Sequence, residues 1–152
     1  GSGGKERPKA PVDANADGVP LRSEPRGSLS AEGVKPRPLT PGALLFSDRN
    51  YSLAERPAAL AGAQFMPVAL NGEKHLRCER PGMVYFLTPV PARNKDSVSQ
   101  SLVAQGFAKV KLPEVRLFTP TNPRNFCTLY QKSCAAGETL TIGKWAVPLF
   151  FP

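Results

Sequence analysis

The most specific arrangement of potential ligands in the sequence is a polar stretch near its start. Asp13, Asn15 and Asp17 are spaced two residues apart, a glycine follows, and Glu24 occupies the twelfth position of the series. Ca²⁺ binds about six to eight oxygen ligands, and a loop of this spacing can supply them because the glycine permits a sharp turn. We expect a solvated linker, since prolines interrupt both flanks. A calcium site is the alternative, and no other cofactor is expected.

The cysteines allow two interpretations. Cys127 and Cys134 are seven residues apart, and they could form a disulfide in an oxidising compartment if they lie on two strands of a hairpin or on a strand and its following loop. Buried free thiols are the alternative. His75 is the single histidine, and neither it nor Cys78 has the local spacing of a zinc knuckle, so we expect no zinc site.

Catalytic chemistry has few candidate groups. A hydrolase needs paired carboxylates, a nucleophile beside a base, or a metal. Residues 42–152 contain seven acidic residues and one histidine. Asp48 beside Arg49 is typical of an ion pair or a turn cap at the end of a strand. The segment 73–75 follows the turn dipeptide Asn71-Gly72, which predicts an exposed loop. We therefore expect a protein that is not an enzyme.

The aromatic residues divide the chain into two parts. All twelve lie between Phe46 and Phe151, whereas residues 1–41 contain none and carry seven prolines. A segment of that composition cannot bury enough apolar surface to offset its ordering entropy. We predict a flexible, disordered leader over residues 1–41, which opens with a sequence typical of a cloning remnant and ends as a proline-rich linker. One folded domain is predicted over residues 42–152.

The pattern of that domain predicts an all-β fold. Short segments rich in β-branched and aromatic residues recur about every ten residues between prolines and glycines, as in antiparallel sandwiches. Only residues 96–105 have apolar residues at helical spacing. The predicted architecture is an antiparallel, jelly-roll-like β-sandwich with one short helix. The predicted strands are 43–46, 51–53, 64–70, 83–88, 107–111, 115–119, 126–131, 139–142 and 145–150.

The charge of the chain favours an anionic partner. The formal net charge is +8, yet the cations are scattered and do not alternate with aromatic residues, so nucleic acid is not the expected partner. The densest cationic cluster is Lys109, Lys111 and Arg116, which could contact acidic groups on a sugar. Trp145 and Tyr130 could offer flat faces to a sugar ring, with core packing as the alternative for both. No apolar stretch is long enough to span a membrane.

Several short motifs follow one another in the order of a known bacterial family. They are Asp48-Arg49-Asn50-Tyr51, Pro57-Ala58-Ala59-Leu60-Ala61-Gly62, Met83-Val84-Tyr85-Phe86-Leu87, Leu129-Tyr130, Ala136-Gly137 and Ile142-Gly143. In this order the chain resembles a β-sandwich accessory domain of large bacterial extracellular proteins, in which it occurs beside polysaccharide-degrading enzymes and lectin-like modules.

That resemblance implies a function and a location. The expected protein is a noncatalytic module of an exported or cell-surface bacterial protein, and it binds or is positioned on polysaccharide. The cations Lys109, Lys111 and Arg116 extend that expectation to acidic polysaccharide. Neighbouring domains of a larger multidomain chain are further expected partners. A protein-interaction or spacer domain is the alternative, because a shared scaffold does not transmit a shared binding site.

Overall fold

The computed structural model describes residues 18–120 and 125–152. In this part of the chain the fold is all-β, as predicted, with an eight-stranded and a three-stranded antiparallel sheet. It also contains a short helix, α1 (Ser99–Ala104), within the segment predicted to be helical. The strands are β1 (Ser28–Ser30), β2 (Arg37–Pro38), β3 (Ser52–Glu55), β4 (Gln64–Phe65), β5 (Lys74–Arg80), β6 (Gly82–Pro89), β7 (Ala108–Lys109), β8 (Val115–Phe118), β9 (Asn125–Cys134), β10 (Thr139–Ile142) and β11 (Val147–Phe150).

The two long strands β6 and β9 form the centre of the large sheet. Its order is β2-β4-β11-β6-β9-β8-β3, and β7 also pairs with β9. The β6–β9 pairing runs from Cys127 opposite Pro89 to Cys134 opposite Gly82. The small sheet has the order β10-β5-β1. The predicted strand 43–46 is replaced by isolated bridges, and the predicted strand 64–70 is shortened to β4.

Side-chain alternation along the central strands fills two hydrophobic cores, because successive residues of a strand point to opposite faces. On β6, Tyr85 and Leu87 enter the first core, whereas Val84 and Phe86 enter the second. The first core contains residues of both ends of the large sheet, so that sheet curls around it. The second core lies between the large sheet and the small sheet, and Leu102 of α1 packs into it.

Much of the predicted leader is part of the folded domain, which corrects the boundary at residue 41. β1 pairs with β5 and β2 pairs with β4. Leu29 on β1 is 3% exposed and enters the second core, and Leu39 enters the first. The prediction of a flexible linker is therefore wrong for these residues. The prediction relied on the absence of aromatic residues. A segment without them can still fold onto the domain through single buried leucines and main-chain strand pairing.

The segment 18–27, hereafter the N-terminal segment, also supplies hydrogen bonds to buried polar groups of the large sheet. The side-chain oxygen of Gln131 accepts the Arg22 N–H at 2.9 Å, and its side-chain nitrogen donates to the Pro20 carbonyl at 3.1 Å. The Tyr85 hydroxyl donates to the carbonyl of Arg22. Gln131 and Tyr85 are both buried. Because an unsatisfied buried polar group costs about 1–3 kcal/mol, this segment stabilises the domain.

The predicted exposed loop at residues 73–75 is correct for Glu73 alone, because Lys74 and His75 already belong to strand β5. Its side chains alternate, so that Lys74, Leu76 and Cys78 are buried while His75 and Arg77 are exposed. A buried lysine at the first inward position hides the alternation of polar and apolar residues that identifies a strand. The turn dipeptide Asn71-Gly72 therefore marks the approach to a strand, and the prediction of a loop is wrong for Lys74 and His75.

Candidate functional site

The two aromatic residues proposed as sugar platforms belong to the cores. Trp145 is 4% exposed and packs with its ring centroid 5.1 Å from Phe46 and 5.7 Å from Tyr51. Its backbone φ of 69° lies in the left-handed region, and the structure holds it there through a hydrogen bond from its N–H to the Leu70 carbonyl at 3.0 Å. Tyr130 is buried in the second core. Neither ring can receive a sugar, so the core alternative is correct for both.

The cysteine pair is not placed for a disulfide. Cys127 and Cys134 lie on the single continuous strand β9, where seven residues span about 23 Å, far beyond the reach of a disulfide. They also point into different cores. All three cysteines are buried free thiols. Burial raises the pKa of Cys134 to about 12 and raises the pKa values of Cys78 and Cys127, so these thiols are poor nucleophiles at neutral pH.

Three of the four candidate calcium ligands, Asp13, Asn15 and Asp17, lie outside the described residues. The fourth, Glu24, is exposed and pairs with Arg26 at 2.9 Å. Within residues 18–120 and 125–152, no three His, Cys, Asp or Glu side chains are grouped to hold a metal ion. The calcium site of residues 13–24 stays an alternative to the solvated linker.

The three predicted cationic residues share one face of the large sheet, hereafter the outer face. Arg116 on β8 is directly opposite Phe126 on β9, and Lys109 on β7 is directly opposite Tyr130. Directly opposite residues point to the same side, and Phe126 and Tyr130 are themselves an even number of residues apart. Lys111 follows Lys109 by two residues and is exposed. Among the described residues, the small sheet and α1 cover this side near Tyr130, whereas Phe118 on β8 is exposed.

An exposed aromatic ring adjoins these cations. Phe118 follows Arg116 by two residues on β8 and is 58% exposed. It is directly opposite Ser52 on β3, and Ser52 in turn bridges to Leu44, which is 49% exposed. Leu44 and Phe118 therefore lie on one face, about 10 Å apart across two strand spacings. Among the described residues, the third large apolar side chain with comparable exposure is Val103 on α1.

Each of the two arginines of the outer face forms an ion pair with a carboxylate. Arg116 contacts Glu55 at 2.8 Å, and Arg93 contacts Glu114 at 3.0 Å. The Arg93 guanidinium also lies over the Phe126 ring, 4.7 Å from its centroid, a cation–π contact. Among the described residues, Lys109 and Lys111 lie on the same side of the sheet as these two ion pairs.

Two polar atoms on the outer face lack a protein partner. Among the described residues, the buried side-chain atoms without a hydrogen bond are Nε of Arg116 and Oγ1 of Thr128. Thr128 follows Phe126 by two residues on β9 and so points to the same side. Unmet polar groups of this kind usually have an explanation in function or in bound solvent.

A second polar cluster surrounds the backbone of Leu70. Asp48 accepts the Leu70 N–H at 2.8 Å, and the Leu70 carbonyl accepts the ammonium of Lys74 at 2.8 Å. Lys74 also donates to the Gly143 carbonyl at 3.2 Å and is 8% exposed. Burial lowers the pKa of Lys74 to about 8, an effect that the charge of Asp48 opposes. Of the two roles expected for Asp48, an ion pair or a turn cap, the structure shows the ion pair with Arg49, 3.5 Å away.

The sequence predicted Lys109, Lys111 and Arg116 as candidate site residues. It did not identify the aromatic residues Phe118 and Phe126 as part of the site, nor Arg93, which stacks on the Phe126 ring. The strand patterns offered a usable signal. In Val115–Phe118 the second and fourth residues alternate with buried ones, so Phe118 had to share the exposed side of Arg116. The contact of Arg93 with Phe126 joins a loop to a strand and has no signal in local sequence.

The fold is similar to part of a known enzyme. No protein-family model matches the chain, and no curated protein matches its sequence. Among solved structures, a β-glucuronidase from glycoside hydrolase family 2 is similar, with a TM-score of 0.53 and 10% identity over 81% of this chain. The chain spans 14% of the length of that structure. A likeness at this identity supports a β-sandwich of a kind found within a glycoside hydrolase, and it leaves the predicted family motifs unconfirmed. No helix in the described residues is long and apolar enough to cross a membrane.

Proposed function

We propose that this domain is a noncatalytic carbohydrate-binding module that holds an acidic polysaccharide on its outer face. The observation that carries the proposal is the exposed ring of Phe118 beside Arg116 on one sheet face. An apolar ring can pack against the C–H groups of a sugar ring, and a guanidinium can bind a carboxylate or sulfate in a bidentate manner. Both kinds of contact are available on the same strand.

The charges of the face support an anionic polymer. The net charge of +8 attracts negative groups, and the described cations Arg93, Lys111 and Arg116 lie on this face. The similarity to a domain-sized part of a β-glucuronidase is compatible with a carbohydrate-related role.

Affinity gel electrophoresis with dissolved polysaccharides tests the proposal. Alginate and pectate provide carboxylate polymers, dextran sulfate provides sulfate groups, and starch and xylan provide neutral chains. We expect slower migration in at least one acidic gel, weakening as salt rises, because exposed charges are screened over about 8 Å at physiological ionic strength. Retention by neutral chains alone would contradict the acidic class.

Two variants and a control locate the site. Phe118→Ala and Arg116→Ala should each weaken retention about threefold to tenfold, since exposed contacts contribute on the order of 1 kcal/mol. Neither should unfold the domain, because both side chains are largely outside the cores. Arg37→Ala is the matched control, as it removes one exposed cation at the opposite edge of the large sheet. Equal losses in Arg37→Ala and Arg116→Ala would mean that net charge alone causes retention.

The noncatalytic role belongs to the same proposal because residues 42–152 offer few candidate catalytic groups, and the exported location comes from the sequence resemblance. A domain that ignores every polysaccharide yet binds a neighbouring domain of its own parent protein would instead be an interaction or spacer domain. The exposed side chains of Leu44 and Phe118 would then form the contact surface.

A further inference from the structure

A separate cleft lies beside the outer face and has a different chemistry. It has a volume of about 440 Å³ and is formed mainly by the turn of residues 46–51. Leu44 lines it from the strand side, so that the cleft and the outer face share one border. A volume of this size lies within the range of about 300–1,000 Å³ that is usual for small-molecule sites.

One wall of the cleft is a rigid aromatic ring. The Tyr51 ring packs edge-on against Phe46, with centroids 5.9 Å apart, and at 35° to the Trp145 ring. Tyr51 remains partly exposed, whereas Phe46 and Trp145 are buried. The ring is thus supported from below and presents part of its surface to the cleft. A preformed ring of this kind contacts a ligand at little cost in conformational entropy.

The polar groups of the cleft are fixed as well. One carboxylate oxygen of Asp48 accepts the Leu70 N–H at 2.8 Å, and the other lies 3.5 Å from Arg49. Arg49 also donates to the Asp48 carbonyl at 2.9 Å. Both side chains are more than one-third exposed, and the amide of Asn50 lines the same cleft. A carboxylate, a guanidinium and an amide together can accept and donate several hydrogen bonds to a ligand.

The charge of these groups selects the ligand class. Asp48 and Arg49 cancel each other, so the lining side chains that the structure describes give the cleft no net charge. A free anion or cation would meet one repulsive partner there. An uncharged ring that carries several hydroxyl groups meets none, and its hydroxyls can both donate to the carboxylate and accept from the guanidinium.

From these contacts we infer that the cleft at residues 46–51 is a binding site for a single neutral sugar unit. The sugar ring lies against Tyr51, and its hydroxyl groups bind Asp48, Arg49 and Asn50. This site is independent of the acidic-polymer site on the outer face, because it uses other residues and a different charge balance.

Nuclear magnetic resonance titration of the full chain tests the inference. The probes are the methyl glycosides of glucose, galactose, mannose and xylose, each at millimolar concentration. We expect at least one of them to shift the backbone amide signals of residues 47–51. Asp48→Asn retains an oxygen for the Leu70 N–H but removes the charge, and Arg49→Ala removes an exposed side chain. Each should weaken binding about tenfold, as expected for the loss of hydrogen bonds to a charged group.

Control variants separate this site from the outer face. Asn71→Ala changes an exposed turn outside the cleft and should leave the affinity unchanged, as should Phe118→Ala. Unshifted amides at residues 47–51 with all four glycosides would overturn the inference, and so would equal binding by wild type, Asp48→Asn and Arg49→Ala. Loss of sugar binding in Phe118→Ala would show that the outer face, not the cleft, binds the ring.

Discussion

Replacing Leu29 by alanine tests whether the predicted leader is part of the folded domain. Leu29 is 3% exposed and contributes to the second core from strand β1, where it is opposite Cys78. The change removes three carbons from the core. Their transfer contributes about 0.8 kcal/mol each, and the residual cavity adds about 1 kcal/mol. The free energy of unfolding should therefore fall by about 3 kcal/mol.

Denaturant unfolding of the full chain measures this change. Trp145 is the single tryptophan and is buried, so its fluorescence reports on the core. Thermal unfolding should show a melting temperature lower by about 10 °C for a domain of this size. Leu44→Ala is the matched control, because the same substitution at a 49% exposed site should cost less than about 1 kcal/mol. A Leu29→Ala protein as stable as wild type would refute the packing of β1 and restore the flexible leader.

Three further predictions concern the buried lysine, the buried tryptophan and the calcium motif. In the folded protein the pKa of Lys74 is about 8, against an ordinary value of 10.5. Between these two pH values the amine of Lys74 is therefore more protonated in the unfolded chain than in the folded protein. Stability contributed by Lys74 therefore rises with pH across that window, by about 1.4 kcal/mol per pH unit at most. The free energy of unfolding of wild type minus that of Lys74→Met should therefore increase with pH across this window. A pH-independent difference would contradict the lowered pKa. Trp145→Ala should lose about 3–5 kcal/mol of stability, while Trp145→Gly should be no worse, because a φ of 69° favours glycine; a clearly less stable glycine variant would argue against that backbone conformation. Calorimetric titration with Ca²⁺ decides between the solvated linker and the calcium site: heat that Asp17→Ala abolishes would establish the site, and absence of heat in wild type at millimolar Ca²⁺ would exclude it.

The strand pattern of the domain was predictable because most strands carry a local signal. β10 was predicted with its observed bounds, and β6, β8 and β9 to within a few residues. Alternation also placed Arg116 on an exposed side correctly. These properties depend on neighbouring residues of one strand, which the sequence displays directly.

The packing of the leader and the burial of Trp145 depend on contacts that are distant in sequence. The partners of Arg22 and Pro20 are more than one hundred residues away, on Gln131 of β9. A tryptophan side chain such as Trp145 is suited both to stacking on a sugar and to packing in a core. Only the pairing of strands distant in sequence determines that it is buried. The Arg93 contact with Phe126 and the Leu44–Phe118 alignment likewise arise from tertiary structure.

The most direct test of acidic-polymer binding at the outer face compares two variants on the same affinity gel. One removes a negative charge from the face and the other removes a positive charge. Glu55→Gln removes the carboxylate that contacts Arg116 at 2.8 Å and leaves its guanidinium free for the polymer. Both side chains are exposed enough that stability should change by less than about 1 kcal/mol in either variant. We predict that Glu55→Gln is retained more strongly than wild type and Arg116→Ala more weakly. Unchanged or weaker retention of Glu55→Gln, with both variants folded, would contradict binding at the outer face.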